Sequence, residues 1–322
     1  MVPSTRSFSP SLVLTTSGFV ALVVCVLFMT WGAKADWSFL IAFRGTKLAA
    51  LVLVASAVSV STVLFQTVTG NRILTPAIIG FDALYVLLQT LLVFFLGGLG
   101  VATLDKRLLY IVEVGVMVLL SALLFRFLFS GATRSLHRLL LVGILFGGLF
   151  RSLAGFIQRI IDPNEFIVLQ DRFFASFNSV DTELLGLSAI VVAGTFAVVL
   201  ANLSRFDVLS LGREAAVNLG LDHRRMVTLA MALVAILVSV STALVGPVTF
   251  FGLLVANLAY VLMPSFRHRH VLPLAIFLSV TLLVGGQILL ERLFAFSTAL
   301  SIVIEFFGGL VFIILLLRGK AR

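Results

Sequence analysis

The run LAALVLVASAVSVSTVLFQTV, residues 48–68, decides the fold. It carries no charged residue and matches the ~20 apolar residues that a helix needs to cross a bilayer. Working outward, Arg44 and Lys47 punctuate it on one side, and Gly70, Asn71 and Arg72 on the other. Comparable runs recur at 12–31, 78–97, 109–129, 139–157, 184–203, 227–245, 249–263, 271–291 and 299–317, which makes ten. The 249–263 run is short for a full span. It follows Gly246-Pro247, so it either tilts or starts inside a protein-lined cavity. The 12–31 run lacks a small-residue cleavage site and exceeds a typical signal core, so it reads as a retained span.

Composition agrees. Of 322 residues, 61% are hydrophobic and 11% charged, with 30 Phe. A soluble domain carries about 25% charge and could not cover so much apolar surface. The expected class is therefore all-α, a polytopic integral membrane protein of about ten spanning helices, read as a single domain over 1–322. The net charge of +9 would suggest nucleic acid in a soluble chain. Here most Lys and Arg fall in loops that an even count of spans places with both termini. The positive-inside rule makes that side cytoplasmic, so the charge is an orientation signal and no nucleic acid is implied. The single Cys25 excludes an intrachain disulfide.

Two segments outside the spans are long. Residues 158–183 fall on the outer side. Residues 204–226 (SRFDVLSLGREAAVNLGLDHRRM) fall on the inner side. There Ser210 is placed to cap a short helix from Leu211. Glu214 suits its first turn, Leu211, Ala215 and Leu219 share a face, and Gly220 stops it. Such a helix either rests on headgroups or inserts into a cytoplasmic partner, which small residues Gly212, Ala215 and Ala216 would let approach closely.

Three stretches carry a resemblance. LSLGREAAVNLGLD (209–222) resembles the coupling segment L-G-x-x-A-A-x-x-L-G of ABC importer permeases of the iron-siderophore and cobalamin family, through Leu211, Gly212, Ala215, Ala216, Leu219 and Gly220. GNRILTPAIIGFD (70–82) resembles the family's N-P-L-x-x-P-x-x-L-G segment, with Asn71, Pro76 and Gly80 in register. LVGPVTFFGLLV (244–255) is similar to its G-P-I-x-F-x-G-L-I-V turn, at Gly246, Pro247 and Gly252. The chain departs from it at Ala256, Asn257 and Tyr260, where many relatives have P-H-x-x-R, and in STALSIVIEFFGGLVF (297–312). These departures argue against the cobalamin branch. The wording around 69–90 is similar to the branch that carries ferric catecholate siderophores.

The resemblance implies a type II ABC importer permease fold and a multi-pass chain in the bacterial cytoplasmic membrane with both termini inside. It implies as partners a second permease subunit (a paralogous chain, otherwise a second copy), two ATPase subunits, a substrate-binding protein and a ferric siderophore. Another iron chelate, haem or cobalamin is the alternative cargo. Coupling falls to Leu211, Gly212, Glu214, Ala215, Ala216, Leu219 and Gly220. Docking of the binding protein falls to Arg44, Lys47 and Arg292, which composition alone reads as interfacial anchors.

Polar residues inside spans are costly and should face protein or water. Gln66, Gln89 and Asn257 are candidates to line a path. Asp82 suits a cap or a helix–helix bond, Glu113 lies close to the outer interface, Gln287 joins the set, and Glu305 has no evident partner. An ion-coupled secondary transporter would need inverted repeats with broken helices and midplane charges. No P-loop, H-E-x-x-H, C-x-x-C or G-x-S-x-G occurs, so no catalytic or metal residue is expected. ATP and magnesium belong to partner ATPase subunits, and the chain itself needs no cofactor. His137, His223, His268 and His270 sit beside Arg. In RHRH (267–270) that cationic setting disfavours metal and suits headgroup or partner contact.

Overall fold

The computed structural model describes residues 9–32, 36–129, 136–178, 180–292 and 300–317. Among them no strand occurs. The helices are α1 (Pro10–Thr30), α2 (Trp37–Thr69), α3 (Phe81–Thr103), α4 (Lys106–Phe129), α5 (Leu136–Gln158), α6 (Pro163–Asp171), α7 (Thr182–Ala201), α8 (Leu203–Leu209), α9 (Arg213–Asn218), α10 (His223–Val245), α11 (Phe251–Leu262), α12 (His268–Arg292) and α13 (Leu300–Leu317). Each of the ten apolar runs falls largely on an α-helix. Seven helices are individually long and apolar enough to cross a bilayer, among the described residues. The short run at 249–263 resolves into a turn followed by the 12-residue α11. At ~1.5 Å per residue such a helix covers only part of a ~30 Å bilayer. The turn before it lies against protein, since Gly246 packs on the main chain of Phe174 and Ala175. The Glu305 side chain and residues 297–299 of the expected C-terminal pattern lie outside the described residues.

Caps explain several helix starts. The Ser9 hydroxyl accepts from the Leu12 N–H, with Pro10 in the first turn. Asp162, Asp181 and Asp222 do the same for α6, α7 and α10. Such oxygens satisfy N–H groups that the helix leaves unpaired.

The centre of the fold is α2. It packs on α10, α12, α11, α7 and α1, and its buried face is built from Ala50, Ala55, Ala57, Ser59, Ser61 and Thr62. The hydroxyls bond within their own helix, as Ser56 to Val52 O and Thr62 to Val58 O. Polar side chains are thus buried without needing partners elsewhere.

The helices α2 and α12 run antiparallel and are tied three times. Lys47 Nζ lies 2.6 Å from Glu291 Oε1. Ser279 Oγ donates to Ala55 O at 2.6 Å. Thr67 Oγ1 lies 2.7 Å from His268 Nε2. The ties sit at the two ends and between them.

A second region gathers α3, α4, α5 and α6 around smaller clusters. A 3-10 turn, Pro76–Ile79, ends at Gly80 with φ 105°. A Cβ there would stand 2.7 Å from Gly147 Cα, so glycine is needed both for the backbone angle and for the approach of α5. Within α3, Gly97 breaks the helix (φ 70°, ψ 163°). The N–H of Gly98 is taken by the Glu165 carboxylate of α6.

Candidate functional site: a short-helix segment and a cationic cleft

The 204–226 segment holds two short helices, not one, ahead of α10. α8 is anchored by Phe206 and Leu209, both buried. Ser210 does not cap the helix that follows. Its hydroxyl donates to Asp207 O at 2.6 Å and closes α8 instead. Gly212 occupies the N-cap of α9 at φ 90°, ψ 169°, a conformation open essentially to glycine. Glu214 lies in the first turn of α9, as expected. The helix ends in a Schellman turn: Leu221 N–H donates to Ala216 O and Gly220 N–H to Val217 O, both at 2.9 Å, with Gly220 at φ 81°.

The expected apolar face shifts. Leu211 precedes α9 and Leu219 follows it. They are 61% and 64% exposed, and Val217, 54% exposed, joins them in place of the half-buried Ala215. Ala216 is fully buried, so it supports the segment from within rather than offering a surface. The segment therefore presents Leu211, Val217 and Leu219 at one end of the helix bundle, with Arg213 and Glu214 exposed beside them.

At the opposite end, the structure brings Arg44, Lys47 and Arg292 together. With Phe43, Asn178 and Glu291 they line an open cleft of about 440 Å³. Their roles differ. Arg44 Nη1 donates to the carbonyls of Phe28, Met29 and Trp31 at 3.0, 3.2 and 3.0 Å. It thus sits on the negative end of the α1 dipole. Arg292 is exposed and also donates to Trp31 O. Lys47 is only 5% exposed and is bound to Glu291, which Gln287 also contacts at 2.9 Å. Lys47 is a tie inside the chain, and the remaining charge of the cleft rests on the half-buried Arg44 and the exposed Arg292. The acidic partner of Lys47, Glu291, has no local signature, and only the fold reveals it.

The polar residues read as path-lining are committed inside the chain. Gln66 Nε2 and Asn257 Nδ2 both donate to Arg72 O, at 2.7 and 3.0 Å. They bind α2, α11 and the 70–75 turn to each other. In that turn Asn71 Oδ1 accepts from Ile73 N–H, Pro76 opens the 3-10 turn, and Gly252 of α11 packs on Thr62. Gln89 donates to Glu113 Oε1 at 2.7 Å and accepts from Arg172 Nη1 at 2.9 Å. Glu113 is buried among these partners and not at a wet interface.

The RHRH reading is corrected at one residue. His268 is 3% exposed and meets no headgroup. Its main-chain N–H and its Nδ1 both lie 2.7 Å from Asp207 Oδ1. His270 Nδ1 lies 3.0 Å from Ser265 Oγ. Asp207 and Thr67 carry no local sequence signature of this contact. Both sit in unremarkable surroundings, and their pairing spans 61 and 201 positions respectively.

Comparison with known proteins follows the same outline. The model of the FecCD transport family matches residues 8–318. The petrobactin import system permease protein YclO of Bacillus subtilis (strain 168) is 47% identical over 296 residues, which cover 92% of this chain and 94% of that protein. The petrobactin import system permease protein FatC of Bacillus anthracis is 35% identical over 278 residues, 86% of this chain and 78% of that protein. Among solved structures, an inward-facing conformation of a transporter described as metal-chelate type ABC superposes with a TM-score of 0.84. It shares 21% identity and covers 96% of this chain and 99% of that one. That likeness is one of fold.

Proposed function

The chain belongs to the FecCD transport family, and from that premise we propose that it is the membrane-spanning permease subunit of an ATP-driven importer whose cargo is a ferric siderophore. The 47% identity to a petrobactin permease over nearly the whole length supports a siderophore. The catecholate type follows from the resemblance around 69–90.

One observation carries the reading. The chain offers an apolar knob, Leu211, Val217 and Leu219, at its inner end and a cationic cleft, Arg44 and Arg292, at its outer end. The knob suits insertion into a groove of an ATPase subunit, which supplies ATP and magnesium. Glu214 and Arg213 flank the contact. The cleft suits carboxylates on a substrate-binding protein, and rim charges of this kind mainly set encounter rate and register. A second, paralogous permease chain packs across the membrane-embedded side. Gly148 and Gly155 of α5 have open space beside them, and small residues let helices approach closely. The termini and α9 lie in the bacterial cytoplasm.

The test is reconstitution in liposomes with the ATPase subunits, the partner permease and the binding protein, following uptake of radioactive iron as its siderophore chelate. Uptake should require ATP on the α9 side and vanish in Leu219→Asp. Reversing Arg44 and Arg292 to Glu should slow docking and raise its salt sensitivity. Uptake that follows a proton or sodium gradient and ignores ATP would sink the reading. Preference for haem or cobalamin would replace the cargo and keep the class.

A further inference from the structure

We infer that Asp207, His268 and Thr67 form a mechanical joint that refers the coupling segment to the α2–α12 pair, with His268 as its positioning residue. The inference rests on the reading of α8–α9 as the coupling segment, and it concerns how displacement leaves that segment.

The geometry has three parts. First, one carboxylate oxygen, Asp207 Oδ1, receives two N–H groups of one residue, the main-chain N–H and Nδ1 of His268, each at 2.7 Å. A carboxylate can only accept, so Nδ1 carries a hydrogen. Asp207 therefore caps the first turn of α12 from a different element, and it does so from α8, six residues before α9 begins at Arg213. Second, His268 Nε2 meets Thr67 Oγ1 at 2.7 Å, on the last turn of α2. The imidazole thus bridges α8 to α2 while its own backbone starts α12. The ring is buried and lies 6.0 Å from the Phe206 ring of α8. Third, α2 and α12 are tied again at Ala55–Ser279 and at Lys47–Glu291. The last tie lines the outer cleft that holds Arg44 and Arg292.

A force on α8–α9 meets α2 and α12 at the joint. The two helices, fixed to each other at three levels, carry it as one body to the mouth. The buried Thr67–His268 bond and the part-buried Asp207–His268 pair resist such displacement, because breaking them leaves the enclosed imidazole without partners.

The experiment uses the assembled transporter in liposomes and three variants. His268→Phe keeps the ring volume and the main-chain cap but removes both ring bonds. Asp207→Leu removes the shared acceptor. Asp207→Asn keeps an oxygen at the same place and serves as the conservative rescue. The first two should retain ATPase subunits and basal ATP hydrolysis, yet lose about tenfold of the stimulation given by loaded binding protein, within the range of coupling networks. Asp207→Asn should keep most of it. A second readout needs no cargo. A nitroxide on Asn218→Cys, exposed on α9 outside the apolar knob, in a Cys25→Ser background, should gain mobility with His268→Phe and not with Asp207→Asn. Wild-type stimulation and unchanged label mobility in His268→Phe would overturn the joint. So would loss of the ATPase subunits from both disruptive variants, which would confine these residues to folding. Failure of the unmodified transporter to couple ATP to uptake would count against the proposed function instead, and the label would still decide the joint.

Discussion

The helices α1 and α2 have nearly the same mean hydropathy over their most apolar windows, 2.5 and 2.4, yet 11% of one window is buried within the chain and 72% of the other. α1 shows Phe19, Leu22 and Val26 on its outside, whereas α2 encloses Ala50, Ala55, Ser59 and Thr62. Hydropathy therefore locates the membrane, because lipid and protein interiors are equally apolar. Small and hydroxyl-bearing residues locate the protein, because between helices the gain comes from close packing and bonding. The two helices also end differently. α1 is gripped at one end by Arg44 and Arg292. α2 is pinned along its length to α12.

The comparison breaks most visibly at the ion pair. Lys47→Leu would strand the Glu291 carboxylate in a mostly buried site and should cost about 3–5 kcal/mol, read as thermal unfolding in detergent. The double variant Lys47→Leu/Glu291→Leu should recover most of that loss, since removing both charges leaves no unpaired one. Next is packing: Ser59→Leu, at a fully enclosed position, should cost about 1–3 kcal/mol through overpacking. A smaller effect is expected on α7, a peripheral helix with 22% of its window buried. Asp181→Ala removes the cap on Glu183 N–H, 2.9 Å away, for about 1 kcal/mol. That N–H, before any charge nearby, holds the Asp181 carboxyl below the ordinary carboxylate range. The cap is accordingly in place above that range and lost as pH falls through the lowered value. Unfolding followed against pH in the natural chain and in Asp181→Ala should converge in acid. Least affected should be α1: Leu22→Phe, facing outward, should stay within about 0.5 kcal/mol. A large loss there would mean that α1 is packed against something this chain does not supply.

The apolar helices and the short helix within 204–226 are legible because both depend on local signals, run length and the spacing of Gly and Ala. Glu214 and Gly220 could be placed for the same reason. What stayed hidden was which way each residue faces. Ser210 reads equally well as a start or a stop, and Ala216 looks like a contact residue until its side chain is found fully buried. Lys47 beside Arg44 reads as a surface charge because Glu291 is 244 positions away. Gln66 and Asn257 suggest a path until both are found on one carbonyl. His268 sits between arginines in the sequence, and only the fold brings Asp207 to it.

The register between α2 and α12 has a consequence for how the chain can change over time. Its ties pair residue 47 with 291, 55 with 279 and 67 with 268. One residue inserted between Ala55 and Thr67 would advance everything beyond it by about 100° around the helix and swing Thr67 away from the imidazole. A substitution along these two helices leaves that register in place, whereas an addition or deletion in one breaks it unless the other changes to match.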